Sequence, residues 1–195
     1  TKPRWCLGML GTRRRSFGNL IGHVEGLNET VGLAKWTDSQ FDPSLDWDDV
    51  RCIRDMWAGK LILKGILDPE DAAHAVDCGA DAIIVSNHGG RQLDGAFSSI
   101  AALPEIVAAV GGRTEVHLDG GIRSGQDVLK AVALGAKGVY IGRSMLYGLG
   151  ALGEAGVTRS LEIIRKELFT TMGLCGVRTV AELGRDNLIL RHPLG

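Results

Sequence analysis

No stretch of this chain approaches the roughly 18 consecutive apolar residues that a bilayer-spanning helix needs, so nothing in it is expected to span a membrane. The first residues do not have the pattern of a secretory signal peptide. The four cysteines (Cys6, Cys52, Cys78 and Cys175) contain no Cys-x-x-Cys pair, and Cys78 falls in a helical pattern beside Val76. They are expected to be buried or reduced thiols of a cytoplasmic protein. A net charge of −1 provides no field to recruit nucleic acid, and no RNA- or DNA-binding motif is present. His23, His74 and His192 lack metal-ligand spacing, and no nucleophile triad is visible. Aromatics make up only 5 % of the 195 residues, yet 45 % are hydrophobic, an ordinary globular composition with enough chain for one core. The first residue is Thr1 rather than Met, so the sequence is expected to begin within a longer protein or at a processed end.

What the chain does have is concentrated in one run, Ser86-Asn87-His88-Gly89-Gly90-Arg91-Gln92. It follows Ala82-Ile83-Ile84-Val85, a short, continuous, β-branched segment that reads as a buried strand. The flanks do not alternate, as those of a two-residue hairpin would. The glycines let backbone come close to a ligand. The imidazole of His88 can move a proton near neutral pH, and the guanidinium of Arg91 can grip a carboxylate with two hydrogen bonds. A base and an anion fork three residues apart imply a small acidic substrate that loses a proton.

Residues 1–45 read as an irregular region with short helical stretches such as Glu29 to Trp36. From residue 46 the pattern becomes regular. Asp46 can cap a helix whose Trp47, Val50, Ile53 and Trp57 share a face. Leu61 to Gly65 reads as a strand, and Asp68-Pro69-Glu70 opens a helix that Gly79 ends. After the strand Ala82 to Val85 come a short helix from Pro104 to Val110 and a strand from Glu115 to Leu118. A helix then runs from Ser124 to Leu134, followed by a strand from Gly138 to Ile141 and a long amphipathic helix from Thr158 to about Leu174. Strands alternating with helices predict right-handed βαβ units and a parallel sheet. An internal repeat supports this: Gly65, Ile66, Asp71, Ala75, Val76, Gly79 and Ala80 match Gly121, Ile122, Asp127, Ala131, Val132, Gly135 and Ala136 at a constant offset (121 − 65 = 136 − 80 = 56).

Each strand ends in polar groups: Lys64, then Ser86 to Arg91, then Asp119, then Gly142-Arg143. In a (β/α)₈ barrel this face carries the function, so the four ends should converge. The loop Asp119-Gly120-Gly121-Ile122-Arg123-Ser124-Gly125, with Gly142 and Arg143, has the makings of an anion cradle for a cofactor phosphate. His117 lies inside a strand and reads as a packed residue.

In order and interval, Lys64-Gly65, Ser86 to Gln92 with Leu93-Asp94, the Asp119 to Arg123 loop and Gly142-Arg143 resemble the FMN-dependent L-2-hydroxy acid dehydrogenases and oxidases. Gly65 to Asp71 and Gly95 to Pro104 look closest to the respiratory lactate dehydrogenase branch; the mandelate and glycolate enzymes of the family remain alternatives. The resemblance runs from about Trp47 to the C-terminus. It implies the C-terminal half of a (β/α)₈ TIM barrel, strands five to eight, in an FMN enzyme that oxidises a small L-2-hydroxy acid. His88 would be the proton acceptor, and Arg91 the clamp on the substrate carboxylate. Lys64, Ser86, Asp119, Gly120, Gly121, Ile122, Arg123, Gly142 and Arg143 would hold the flavin. The resemblance further implies a homo-oligomer (a tetramer) and a missing N-terminal barrel half carrying the aspartate that orients the histidine and the tyrosines that contact substrate. Alone, this chain should bind flavin weakly and turn over little or nothing.

Before the regular region, Lys2, Arg4 and Arg13 to Arg15 mix with Trp5, Leu7, Met9, Leu10, Phe17, Leu20 and Ile21, and no acid precedes Glu25. Such a stretch can lie in a membrane interface. In membrane-bound family members the corresponding loop makes that contact, which would suit a peripheral enzyme on the inner face of the cell membrane that passes electrons to a quinone. Outside this family, the glycine loops alone would also suit a phosphate-binding barrel isomerase or synthase, or a half-barrel without catalysis.

Overall fold

The structure, a computed structural model, describes residues 3–11, 36, 39–40 and 42–189. The chain divides into two compact units, Thr1–Asp46 and Trp47–Gly195. The first carries helix α1 (Pro3–Gly11), on which Trp5, Leu7 and Leu10 are exposed. Most of the expected helical stretch from Glu29 to Trp36 lies outside the described residues.

The second unit starts with helix α2 (Trp47–Met56) and then alternates strand and helix: β1 (Ile62–Ile66), α3 (Pro69–Asp77), β2 (Ala82–Val85), α4 (Ser99–Val110), β3 (Glu115–Asp119), α5 (Gly125–Ala133) and β4 (Gly138–Tyr140). Two further helices, α6 (Arg143–Leu152) and α7 (Glu154–Leu174), follow. All strand pairs are parallel, in the order β1-β2-β3-β4, with Ile62 beside Ala82, Ala82 beside Glu115 and His117 beside Gly138. This sheet, with a helix after each strand, is a partial (β/α)₈ barrel.

Local chemistry explains the elements. Asp68 caps α3 by accepting the Glu70 amide at 2.7 Å, with Pro69 in the first turn, where its missing N–H costs nothing. Ser124 and Asp127 form a reciprocal capping box on α5. The 56-residue repeat is also a repeat of hydrogen bonds. Ala80 N–H donates to Ala75 O and Gly79 N–H to Val76 O; Ala136 N–H donates to Ala131 O and Gly135 N–H to Val132 O. Ala75 and Ala131 are both fully buried.

Three expectations need revision. Helix α4 begins at Ser99, not Pro104; burial of Ser99, Ala102 and Leu103 outweighs the hydrogen bond that proline forfeits inside the helix. Helix α6 is new, and α7 starts at Glu154 rather than Thr158. The two are held together at Gly148 and Gly156, where a Cβ on Gly156 would sit 1.8 Å from Gly148 O. Finally, Trp47 packs on the core, but Ile53 and Trp57 stay exposed, so the apolar face of α2 is not covered within this unit.

The core is the layer between sheet and helices: Ile83, Val85, Leu103, Ile106, Val110 and Leu118 are all at most 1 % exposed. Cys78 is buried, while Cys6, Cys52 and Cys175 are exposed free thiols. No described helix is long and apolar enough to cross a membrane.

At the end of the sheet opposite the polar rim, Asp81 accepts from Lys60 Nζ (2.7 Å), Leu61 N–H (2.9 Å) and Arg54 Nη1 (3.1 Å). The Lys60 bond and the Leu61 amide lower its pKa to about 2. A group depressed in the folded state stabilises fully above its unfolded pKa, near 3.8, and loses that contribution as pH falls through about 2. Asp81→Asn should therefore be less stable than the parent at neutral pH, with the gap closing between about pH 4 and 2. Thermal melts across that range test this; a constant gap would refute it.

Candidate active site

Strand β2 is buried along its whole length, and the chain leaves it at Ser86, whose side chain is fully buried. The next residues are pinned by their own side chains. Asn87 Oδ1 accepts the Gly89 amide at 3.0 Å, Asn87 Nδ2 donates to Phe97 O, and the Asn87 amide donates to Ser99 Oγ. A 3₁₀ turn, His88–Gly90, results. Within it His88 has φ 55°, the one positive φ on a non-glycine residue among the described residues. Such geometry persists only where its surroundings over-determine it, and it collects at functional sites.

The imidazole of His88 lies against Gly65, where β1 is bulged between Lys64 and Ile66. Gly65 has φ +105°, and a Cβ there would fall 2.7 Å from His88 Cε1. Gly65→Ala should displace the ring from this position, because the added methyl and the imidazole cannot share the space. A crystal structure of the variant would measure the shift, and an unmoved imidazole would refute it.

Beside the histidine, Lys64 Nζ is 3.0 Å from Asp119 Oδ2 and 3.2 Å from Ser86 Oγ. Burial alone would raise the Asp119 pKa. The Ser86 hydroxyl, at 2.6 Å, and the Lys64 ammonium, with a smaller contribution from His88, outweigh it and hold the carboxyl below its usual value. Asp119 is therefore ionised at neutral pH.

The glycine loop after β3 is more committed than its sequence suggests. Arg123 N–H and Ser124 N–H both donate to Asp127 Oδ2 at 3.0 Å, and Gly125 N–H donates to Glu167 Oε2 at 2.9 Å. Ile122 buries its side chain in the core and accepts from Ser144 Oγ through its carbonyl. Protein carboxylates thus already occupy the N-terminus of α5. What remains for a ligand is the backbone at Gly120 and Gly121 and the side chain of Arg123. The N-terminus of α6 is different: it starts at Gly142, and no side chain caps it. Arg143 reaches across to donate from Nη2 to Gly89 O at 3.2 Å.

These residues line one open cleft of about 860 Å³: Lys64, His88, Arg91, Asp119, Gly120, Gly121, Ile122, Arg123, Gly142 and Arg143. Ser86 is the exception, lying beneath the floor. Tyr140, Leu146, Tyr147, Ile163 and Ile164 also line it and were not anticipated. The alternation Gly138, Tyr140 on one strand face could have revealed the first; the others depend on α6 and α7. His117 is not in the cleft: it bonds Glu115 Oε2 at 3.1 Å and packs 5.8 Å from the Tyr140 ring. No carboxylate pairs with Arg91, Arg123 or Arg143 among the described residues. Three guanidinium groups, an imidazole and an uncapped helix end around one cleft call for an anionic ligand.

The profile of the FMN-dependent dehydrogenase family matches residues 1–190. The chain belongs to this family. An L-lactate dehydrogenase of Caulobacter vibrioides (strain NA1000 / CB15N) is 51 % identical over 197 residues, covering 98 % of this chain and 50 % of that protein. An L-lactate dehydrogenase of Stenotrophomonas maltophilia (strain R551-3) is 47 % identical over 97 % of this chain and 50 % of its own length. The crystal structure of a monotopic membrane protein, (S)-mandelate dehydrogenase, superposes with a TM-score of 0.86 at 38 % identity, over 96 % of this chain and 49 % of that one. A mandelate oxidase variant with a monooxide FMN adduct gives a TM-score of 0.69 at 52 % identity, over 72 % and 45 % of the two chains. The chain spans about half the length of the curated relatives it matches. The fold is therefore the C-terminal half of the family's barrel.

The cleft suits this family's cofactor on its own chemistry. Arg123, Arg143 and the bare start of α6 offer charge and N–H groups for a phosphate, and Lys64 places a cation nearer the histidine. Its volume lies within the range, about 300–1,000 Å³, of small-molecule sites.

Proposed function

We propose that this chain forms the catalytic half of an enzyme that oxidises a small L-2-hydroxy acid, with L-lactate as the leading substrate, to the 2-keto acid. The observation that carries this reading is the cleft itself: a base on a strained turn, an unpaired guanidinium three residues on, and a separate cationic cradle. A phosphate isomerase would need the cradle but not the His88–Arg91 pair. Mandelate or glycolate as substrate is the nearest alternative.

Arg91 binds and orients the substrate carboxylate. His88, facing the same cleft, takes a proton from the carbinol group and needs to approach it to about 3 Å. Lys64 lies beside this position with its charge partly balanced by Asp119, so it can stabilise negative charge that develops near it. Arg123, Arg143 and the start of α6 hold the phosphate of FMN. When bound, FMN supplies a two-electron acceptor.

The test is spectroscopic. Complete, FMN-loaded protein should lose its visible flavin bands on anaerobic mixing with L-lactate; a colourless protein, or bands that L-lactate leaves unchanged, would end the proposal.

A peripheral membrane position goes with this reading. Helix α1 exposes Trp5, Leu7 and Leu10 in a segment with no acid before Glu25, and a family neighbour is described as monotopic. Trp5→Glu with Leu10→Glu should reduce pelleting with anionic liposomes, and equal pelleting would discard the idea.

A further inference from the structure

Arg143 is the first residue of α6, yet its side chain bonds the turn that carries His88. Strand order puts β3 between β2 and β4, so the chain leaves β2 and β4 at points roughly 9–10 Å apart. Arg143 closes that gap by donating from Nη2 to Gly89 O at 3.2 Å. The approach depends on a glycine, because a Cβ on Gly89 would fall 3.1 Å from the same nitrogen.

A guanidinium carries five N–H donors in a planar fork. Among the described residues, Gly89 O is the one acceptor that the Arg143 guanidinium meets. Most of the fork is therefore left for an anion at the uncapped start of α6. The far end of the bond lands on strained backbone: His88, Gly89 and Gly90 have φ of 55°, 68° and 72°, three left-handed residues in a row. Asn87 holds this turn from within, through the Gly89 amide. Arg143 holds it from outside, through the carbonyl of the same residue. A long side chain with a single neutral acceptor keeps much of its rotamer freedom, and a charge-assisted contact removes it.

We propose that Arg143 couples the two anion sites of the cleft. A phosphate at the start of α6 fixes its guanidinium, which fixes the Gly89 carbonyl and so preorganises the His88–Arg91 turn for the substrate carboxylate. This rests on the reading of the cradle as the flavin phosphate site and of Arg91 as the carboxylate clamp. By linkage, an anion on Arg91 tightens phosphate binding by the same factor. Arg123, the cradle's other cation, makes no bond to the turn among the described residues, so the coupling belongs to Arg143.

The experiment loads the complete protein with FMN or with riboflavin, which has the same ring without the phosphate. In the parent, the 2-keto acid should bind about tenfold more weakly to the riboflavin form, within the usual range of coupling between sites. Hydrogen exchange across residues 87–92 should be about fivefold faster in that form. Arg143→Met, saturated with either flavin, should bind the keto acid within about twofold and exchange at one rate, because the link is gone.

Equal affinity and exchange in the two parental forms overturn the proposal. So does a full difference that persists in Arg143→Met, because the phosphate would then act by another route. Should Arg143→Met take up no flavin, the flavin-free proteins decide. Inorganic phosphate should slow exchange across residues 87–92 in the parent alone; no slowing in the parent, or equal slowing in both, refutes the coupling. Bleaching of the parent's FMN by L-lactate tests the reading of the site separately. Bleaching without a difference between the flavin forms sinks the coupling and leaves that reading standing. Without bleaching or keto acid binding that reading falls, and the exchange rates still decide the coupling.

Discussion

Replacing His88 with asparagine in the complete enzyme should slow reduction of the flavin by L-lactate by about four orders of magnitude while leaving the flavin bound. Loss of a general base alone costs about 10²- to 10⁴-fold, and Asp119, the other base that lines this part of the cleft, is tied to Lys64 and Ser86, so the upper end applies. Asparagine is the informative choice because it tolerates the left-handed backbone that His88 adopts, so the turn survives. Alanine would mix the chemical loss with a conformational one. The groups assigned to the flavin (Lys64, Asp119, Arg123 and Arg143) keep their own contacts, so flavin content should match the parent's. Anaerobic stopped-flow absorbance gives the rate and the bound flavin in one measurement. A rate within tenfold of the parent's would remove His88 from its role.

Much of this site is written into local sequence, for definable reasons. Ala82 to Val85 reads as a strand because a continuous β-branched run has nowhere to go but a buried parallel sheet, and the structure has β2 over those four residues. Asp68 and the Ser124–Asp127 pair announce helix starts through side-chain chemistry confined to four residues. The 56-residue repeat is legible because two identical capping patterns force identical turns at Gly79 and Gly135. Where distant contacts decide, the sequence is silent. Helix α6 contains Gly148 and Gly150, weak helix formers, and its place depends on the approach of Gly148 to Gly156 of α7. Pro104 looks like a helix start, but burial of Leu103 and its neighbours carries α4 a turn further back.

The same limit applies to function. The glycine loop after β3 reads as an anion cradle, but Asp127 and Glu167 already hold the amides of Arg123, Ser124 and Gly125. The Gly125 bond depends on Glu167, which lies 42 positions away. Ser86 sits in the most informative motif of the chain, yet only the packed structure shows that its side chain is fully buried and bonded to Asp119.

Arg91→Met should lower kcat/KM for L-lactate about 1,000-fold, mainly through KM. A guanidinium clamps a carboxylate by two parallel hydrogen bonds, and truncating one side of a charge pair costs about 2–5 kcal/mol. Arg91 lies on the exposed end of the His88–Gly90 turn with no carboxylate partner among the described residues, so its removal disturbs no internal bond. Arg91→Lys should recover only part of the loss, because a point charge replaces a planar fork. Steady-state kinetics with L-lactate, together with titration of the 2-keto acid product onto the oxidised enzyme, separates binding from turnover. If KM stays at the parent's value in Arg91→Met, the carboxylate is held by another cation of the cleft. Arg143 would be the first to consider, because its bond to Gly89 O already brings its guanidinium against the His88 turn. The substrate would then lie with its carboxylate toward α6, and the assignment of Arg123 and Arg143 to a shared phosphate site would fall together with that of Arg91.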